Sequence, residues 1–451
     1  MTPSSRSFSE DRRQFLHMSM AAFALLLRVL TWEWALACAL IALVFNVALL
    51  PRLGGRQFYR PADQARGYPL GIVFYPLAVA FLILVFPDRL DIVAGAWGVM
   101  AFGDGMATIA GRRAGSGQLP WNPEKTAAGL AAFVVCGGVG GALLSWWVRP
   151  AVHPVPSLAF ALGAPIVAAL VAGFAETAPI RLDDNLTVPA FAATSLWALS
   201  LMSTPLAAAA WPDLERALGP ALIVNAVVGW AGWRLRTVST PGAIVGGAIG
   251  VVIYACGGPA AWVLLLATFA AAAITSRLGL RRKVLLGIAE ARGGRRGPGN
   301  AIANCGVAAG AAILSVLTPY AGLARLALVA ALAAAGSDTV ASEVGKAWGS
   351  RTFLITRLTR VRPGTSGAMS LEGTAAGLIA ALLLAALGAA MGMVSWSSIW
   401  ILVVGATAGS LVESVLGATV EASGLLDNDA LNFINTAVSA LVTLLLAAAP
   451  L

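Results

Sequence analysis

Residues 371–393 read LEGTAAGLIAALLLAALGAAMGM. After Glu372 the run carries no charge, and its length suits a helix crossing a bilayer, which takes roughly 20 residues. Runs of this kind recur from end to end, and no soluble domain of useful size fits between them. Composition agrees: the chain is 59% hydrophobic and only 11% charged, where a soluble chain carries about 25% charged residues. Spans are predicted near 15–30, 34–50, 70–86, 90–110, 127–147, 157–175, 188–210, 219–233, 241–256, 259–275, 300–318, 322–338, 371–393, 398–415 and 430–450. The expected fold is therefore all-α, a polytopic integral membrane protein of about fifteen transmembrane helices. Several are short or glycine-rich, so their small-residue faces need protein neighbours.

The net charge of +9 does not point to nucleic acid, because the basic residues sit in short loops rather than on one soluble face. With Arg6, Arg12 and Arg13 inside, the inner loops carry Arg52, Arg56, Arg60 and Arg66, then Arg112, Arg113 and Lys125. Further inner loops hold Arg277, Arg281, Arg282, Lys283, Arg292, Arg295 and Arg296, then Arg351, Arg357, Arg360 and Arg362. The outer loops keep little beyond Arg89, Arg149, Arg216 and Arg325. This is the positive-inside pattern. It puts the N-terminus in the cytosol, the C-terminus outside and the protein in a cytoplasmic-type membrane. No cleavable signal peptide is expected, since Ser4 to Arg13 is polar and no small-residue cleavage site follows. Cys38, Cys136, Cys256 and Cys305 are scattered through apolar runs and read as packing residues. His17 and His153 are the only histidines, which argues against a histidine-rich metal site or a catalytic triad.

Two halves share an order of motifs. GDGMATIAGRR (103–113) is echoed by GSDTVASEVGK (336–346), and EKTAAGL (124–130) by EGTAAGL (372–378). GFAETAPIRLDDN (173–185) is echoed by GSLVESVLGATVEASGLLDND (409–429). The pattern predicts two related units, 1–210 and 219–451.

Charges at or inside spans are costly and point to function. In the first half these are Asp104, Glu176, Asp183 and Asp184, with Asn185, beside Arg112, Arg113 and Lys125. In the second they are Asp338, Glu343, Glu413, Asp427, Asn428 and Asp429, beside Lys346, Arg351, Arg357, Arg360 and Arg362, with Arg295 and Arg296 upstream. Carboxylates near Arg and Lys suit Mg²⁺ with a polyphosphate: the ion takes one or two carboxylates plus phosphate oxygens, and the basic side chains neutralise the phosphates. The alternative is ion pairs that close helix ends. Asn300 and Asn304 open a span and suit capping or packing. His17 reads as structural. Gly111 to Gly117 could bring backbone N–H groups to phosphates, but no P-loop motif is present.

With these residues in view, the first half resembles the phytol kinase/dolichol kinase family of CTP-dependent membrane kinases. The resemblance rests on Arg12-Arg13-x-x-x-His17, Arg66-Gly67 with Tyr75, GDGMATIAGRR, LPWNPEKTAAG (119–129) and DDNLTVP (183–189), over about 10–190. The second half is similar to the DUF92 membrane family, which includes the plant phytyl-phosphate kinase. Here the matches are TPGAIVGGAIG (240–250), RRGPGNAIANCGV (295–307), SDTVASEVG (337–345), RPGTSGAMSLEGT (362–374) and LLDNDALNF (425–433), over about 235–440. That family usually has Asp at Glu413 and an aromatic at Val340.

The resemblances imply a bifunctional kinase, a prenol kinase domain at 1–210 followed by a prenyl-phosphate kinase domain at 219–451. It would take a prenyl alcohol to its monophosphate and then its diphosphate with CTP and Mg²⁺. Asp104, Glu176 and Asp184 would hold Mg²⁺–CTP, Arg112, Arg113, Lys125 and Asn185 the phosphates, and Asp183 would orient the hydroxyl. Asp338, Glu343, Glu413, Asp427 and Asp429 would repeat this, with metal at Asp338, Glu413 and Asp427, while Lys346, Arg362 and Asn428 face the phosphates. Two other readings remain: a CTP-dependent cytidylyltransferase making a CDP-lipid, and a transporter built of repeats around an intramembrane polar site.

Overall fold

Apolar runs bounded by Pro, Gly and Ser fold as long helices in the computed structural model, which describes residues 10–53, 70–115, 117–178, 183–288, 294–421 and 426–449. Arg6, Arg56, Arg60, Arg66, Gly67, Arg292 and Leu425 lie outside the described residues. The chain divides into two compact units, Met1–Leu201 and Met202–Leu451.

The first unit contains α1 (Glu10–Ser19), continued by 3₁₀ turns to Arg28, then α2 (Trp32–Leu49) and α3 (Leu70–Val85). Next come α4 (Leu90–Ala114), the hairpin β1 (Gln118–Leu119) and β2 (Asn122–Thr126), and α5 (Ala127–Ala151). Two further helices, α6 (Leu158–Thr177) and α7 (Asp184–Ser200), complete it. The core sits on α4, where Ile92, Val93, Val99 and Met100 are fully buried. Asp91 is buried as well, and Arg89 holds its carboxylate with two hydrogen bonds of 2.9 and 3.0 Å. A buried charge is tolerable only when paired in this way. Both α4 and α5 widen to a π turn, at Val99–Asp104 and Phe133–Gly137. The widened turns touch through glycine: a Cβ on Gly137 would lie 3.1 Å from the Gly103 Cα.

The second unit begins with α8 (Thr204–Arg234) and α9 (Thr240–Arg277), followed by α10 (Leu280–Leu285) and α11 (Pro298–Leu317). Then come α12 (Ala321–Trp348) and the strands β3 (Thr352–Leu354), β4 (Thr359–Arg360) and β5 (Ala368–Ser370), which form an antiparallel sheet in the order β4-β3-β5. It ends with α13 (Leu371–Ala390), α14 (Ile399–Thr419) and α15 (Asn428–Ala448). Here α12 is the core helix, and Leu328 through Ala334 are fully buried.

Ten helices among the described residues are long and apolar enough to cross a membrane, or eleven if α7 and α8 together count as one broken span, fewer than the fifteen expected. The reasons are local. The run expected near 15–30 is split between α1 and 3₁₀ turns. The run near 70–86 forms only the short α3. The runs at 241–256 and 259–275 are two helical segments that meet within α9 at a kink, where Gly258 adopts φ +80° ahead of Pro259, and together they count as one candidate span. The all-α expectation holds for every candidate span, and the five short strands lie between spans.

Candidate functional site

LPWNPEKT forms the hairpin that builds the first site. Trp121 Nε1 donates to Thr177 Oγ1 at 3.2 Å, and the Asn122 amide donates to the Thr177 carbonyl at 3.1 Å. These bonds fasten the hairpin to the end of α6, one residue from Glu176. Lys125, near the end of β2, then reaches Glu176 and lies 3.5 Å from Asp184 Oδ2. Asp104, at the end of the π turn in α4, completes the group. Carboxylate oxygens of Asp104, Glu176 and Asp184 all lie within 4.8 Å of one another. Glu176 is buried. Burial disfavours the Lys125 ammonium, but Asp184 and Glu176 outweigh it and hold the lysine above its usual pKa. Three converging oxygen donors fit a hard divalent cation.

Other residues named from sequence take different places. Asp183 caps α7, its Oδ1 accepting from the Asn185 backbone at 3.0 Å and its amide at 2.7 Å. Asn185 is buried, with its Oδ1 lacking a hydrogen-bond partner. Arg112 turns toward Asp11 at 3.2 Å, an exposed pair, and Arg113 is exposed. His17, read as structural from sequence, lies 3.7 Å from Asp104. Its ring meets Tyr75 edge-on at 4.8 Å, and Trp97 Nε1 donates to the Tyr75 hydroxyl at 2.7 Å. The Arg-Arg-x-x-x-His spacing and Tyr75 were the sequence signals for this support.

In the second unit Asp338 and Glu413 bring their carboxyl groups within hydrogen-bonding reach, and Asn435 reaches Glu413. Lys346 and Arg296 exert their charge on Asp338. Glu343 is taken by two ammonium groups: the buried Lys283 donates to it, and Lys346 lies 3.0 Å away. Lys283 also donates to the Ser276 and Thr275 carbonyls at 2.8 and 3.3 Å. Sequence reasoning placed Lys283 in a charged loop, and nothing local marks it as buried. Asp427 caps α15, accepting from the Ala430 N–H at 2.8 Å. Among the described residues, the cluster of three potential ligands is Asp104, Glu176 and Asp184, so Asp427 is not gathered with Asp338 and Glu413. Asn428 and Arg362 are exposed. Asp429 approaches Gly299, where a Cβ would meet its carboxylate.

The same contacts recur in both units. Gly129 faces the Ala107 carbonyl, Thr126 Oγ1 and Gly111, while Gly373 faces the Ala341 carbonyl, Ser370 Oγ and Gly345. Thr126 and Ser370 are N-caps, accepting from Gly129 and Gly373 at 3.1 and 3.0 Å. Gly103 abuts Phe133 and Gly140 abuts Phe102; Ser337 abuts Gly377 and Leu384 abuts Gly336. Gly71 approaches the Asn185 and Asp183 side chains as Gly299 approaches Asp429. Asp104 thereby corresponds to Asp338. The pairing of EKTAAGL with EGTAAGL is corrected by one helical turn: the counterpart of Thr126 is the cap Ser370, not Thr374.

Comparison with known proteins follows this geometry. The family described as "Integral membrane protein DUF92" matches residues 223–440. An uncharacterized membrane protein of Synechocystis sp. is 40% identical over 199 residues, covering 44% of this chain and 77% of that protein. Protein VTE6, chloroplastic, of Arabidopsis thaliana is 33% identical over 205 residues, 44% of this chain and 62% of that protein. Probable phytol kinase 2, chloroplastic, of Glycine max is 33% identical over 144 residues, 32% of this chain and 49% of that protein. The match thus spans about half the length of that phytol kinase. No solved structure matches the chain.

Proposed function

Since the chain belongs to the integral membrane family DUF92, we propose that it is a bifunctional membrane kinase of prenyl lipids. The first unit would phosphorylate a prenyl alcohol and the second the resulting monophosphate. The observation that carries this reading is the cluster of Asp104, Glu176 and Asp184 with Lys125 against it, and a related Asp338–Glu413 centre supports it. The two units are read as distantly related tandem units in which Asp338 answers to Asp104. The probable phytol kinases among the relatives favour an alcohol acceptor.

Asp104, Glu176 and Asp184 would hold Mg²⁺ in the first unit, and Asp338 with Glu413 in the second. The ion supplies charge neutralisation to a bound nucleoside triphosphate, for which CTP is the proposed donor. The protein's own part is positioning and electrostatics, which dominate phosphoryl transfer. Lys125 and, in the second unit, Lys346 and Arg296 are placed to take phosphate charge. Glu343 and Lys283 form a brace that holds Lys346. Asp183 and Asp427 fix helix starts beside the sites rather than deprotonating the acceptor. The distribution of Arg and Lys supports a cytoplasmic face for both sites.

The test is purified protein in detergent with Mg²⁺ and a twenty-carbon prenol, with CTP and ATP in parallel, following lipid products by mass. Monophosphate and then diphosphate, with release of nucleoside diphosphate, is the expected result. Pyrophosphate and a CDP-lipid would overturn the kinase reading.

A further inference from the structure

The second unit holds a cavity of about 130 Å³ bounded by α8, α9, α11 and α12. Gly229, Gly246, Gly247, Ile249, Trp262 and Phe269 make most of its wall apolar and thin. Its floor is satisfied: Trp262 Nε1 donates to Asn225 Oδ1 at 3.1 Å, and the Asn225 amide donates to the Ala221 carbonyl at 2.8 Å. The opposite end is polar, with Arg296, Asn300 and Asn304. Arg296 Nη1 donates to Asn300 Oδ1 at 2.8 Å, and Asn304 fixes the Asn300 carbonyl at 2.9 Å. The other guanidinium nitrogen, Nη2, is buried and has no hydrogen-bond partner. An unmet buried donor is costly, and an anion is its strongest partner. The Arg296 charge also acts on Asp338, so the polar end of the cavity adjoins the carboxylate pair. From Gly242 to Ile249 the wall rises roughly 10 Å, enough for the head-proximal part of a lipid chain.

We propose that this cavity binds a prenyl monophosphate, its phosphate on Arg296 and the first part of its chain between the glycine faces of α8 and α9. A largely apolar cavity with an unmet guanidinium at one end matches an anionic amphiphile. The assignment rests on the kinase reading for the identity of the lipid, but the binding site stands on the cavity itself. The glycines define its bore. A Cβ on Gly247 would meet nothing within 4 Å, and one on Gly246 only Ala301 Cβ at 3.9 Å, so larger side chains there enter free space instead of striking a neighbour.

The experiment uses the full chain in detergent and measures equilibrium binding and phosphorylation of a twenty-carbon and a five-carbon prenyl monophosphate. Gly247→Phe, with Gly246→Leu as the second variant, should weaken the long lipid about tenfold or more and leave the short one nearly unchanged. Arg296→Gln should weaken both equally, and Arg296→Lys should restore part of the loss. Phosphorylation of the alcohol by the first unit reports that each variant is folded. Wild-type turnover with binding insensitive to all these positions overturns the cavity and leaves the kinase reading intact. Binding that depends on Arg296 and Gly247 in a chain that turns over no monophosphate supports the cavity and removes the kinase reading.

Discussion

The two units bring their cations to equivalent aspartates from different directions. In the first, Lys125 arrives on a hairpin and pairs with Glu176 and Asp184. In the second, the position matching Lys125 is Met369, next to the cap Ser370. Its cations instead come from the segment just before α11, as Arg296, and the end of α12, as Lys346. The packing differs in the same complementary way: a large α4 residue with glycine on α5 (Phe102 and Gly140) becomes glycine on α12 with a large α13 residue (Gly336 and Leu384). Backbone placement is thus shared while the charge inventory differs, which would suit the two proposed acceptors, an uncharged alcohol and an anionic monophosphate.

The sharpest way to break this comparison is to neutralise each aspartate in turn. Asp104→Asn should lower alcohol phosphorylation by about 10³-fold and spare the second step, and Asp338→Asn should do the reverse. Loss of both steps from either change would mean one site rather than two. Lys125→Met gives the first unit the residue of the second at that place. Its first-step rate should fall by about 10²-fold in single-turnover assays, with monophosphate turnover unchanged.

Stability separates the braces from the sites. Lys283→Met leaves Glu343 with Lys346 alone, and loss of one partner of a buried pair costs about 3–5 kcal/mol. The remaining lysine should hold the loss near the lower figure, read as a drop in melting temperature in detergent. Gly140→Leu collides with Phe102 and should cost about 1–3 kcal/mol. Adding Phe102→Gly, which copies the Gly336–Leu384 arrangement, should restore most of it; no rescue would break the claimed equivalence. The smallest effects belong to the caps: Thr126→Ala and Ser370→Ala should each lose about 1 kcal/mol.

Much of this was legible in the chain. Charge and hydropathy identified the membrane class, and the cost of a charge inside a span singled out Asp104, Glu176 and Asp184, which do converge. The failures share a cause. Low-complexity helices offer false registers, so EGTAAGL matched EKTAAGL one turn out of step; only the capping bonds from Gly129 and Gly373 fix the alignment. The joint inside α9, by contrast, was legible, since the spans at 241–256 and 259–275 were separated at the place where Gly258 breaks the helix. Helix caps and reactive carboxylates draw on the same side chains: Asp183 was read as orienting the acceptor hydroxyl and Asp427 as a metal ligand, and each accepts from a backbone N–H at a helix start. The burial of Lys283 is set by α10 folding back over Ser276 and Glu343, a tertiary fact without a local signature.

The depth of α4 and α12 bears on how the protein is made. These are the two least apolar and most enclosed of the ten candidate spans, and each carries a site aspartate. Lipid therefore offers them less than it offers the other spans, while neighbouring protein offers them more. Yet each is synthesised before three of the helices that cover it: α5, α6 and α7 in one unit, α13, α14 and α15 in the other. Their stable insertion thus depends on segments the ribosome has not yet delivered, and each unit integrates as a group rather than one helix at a time.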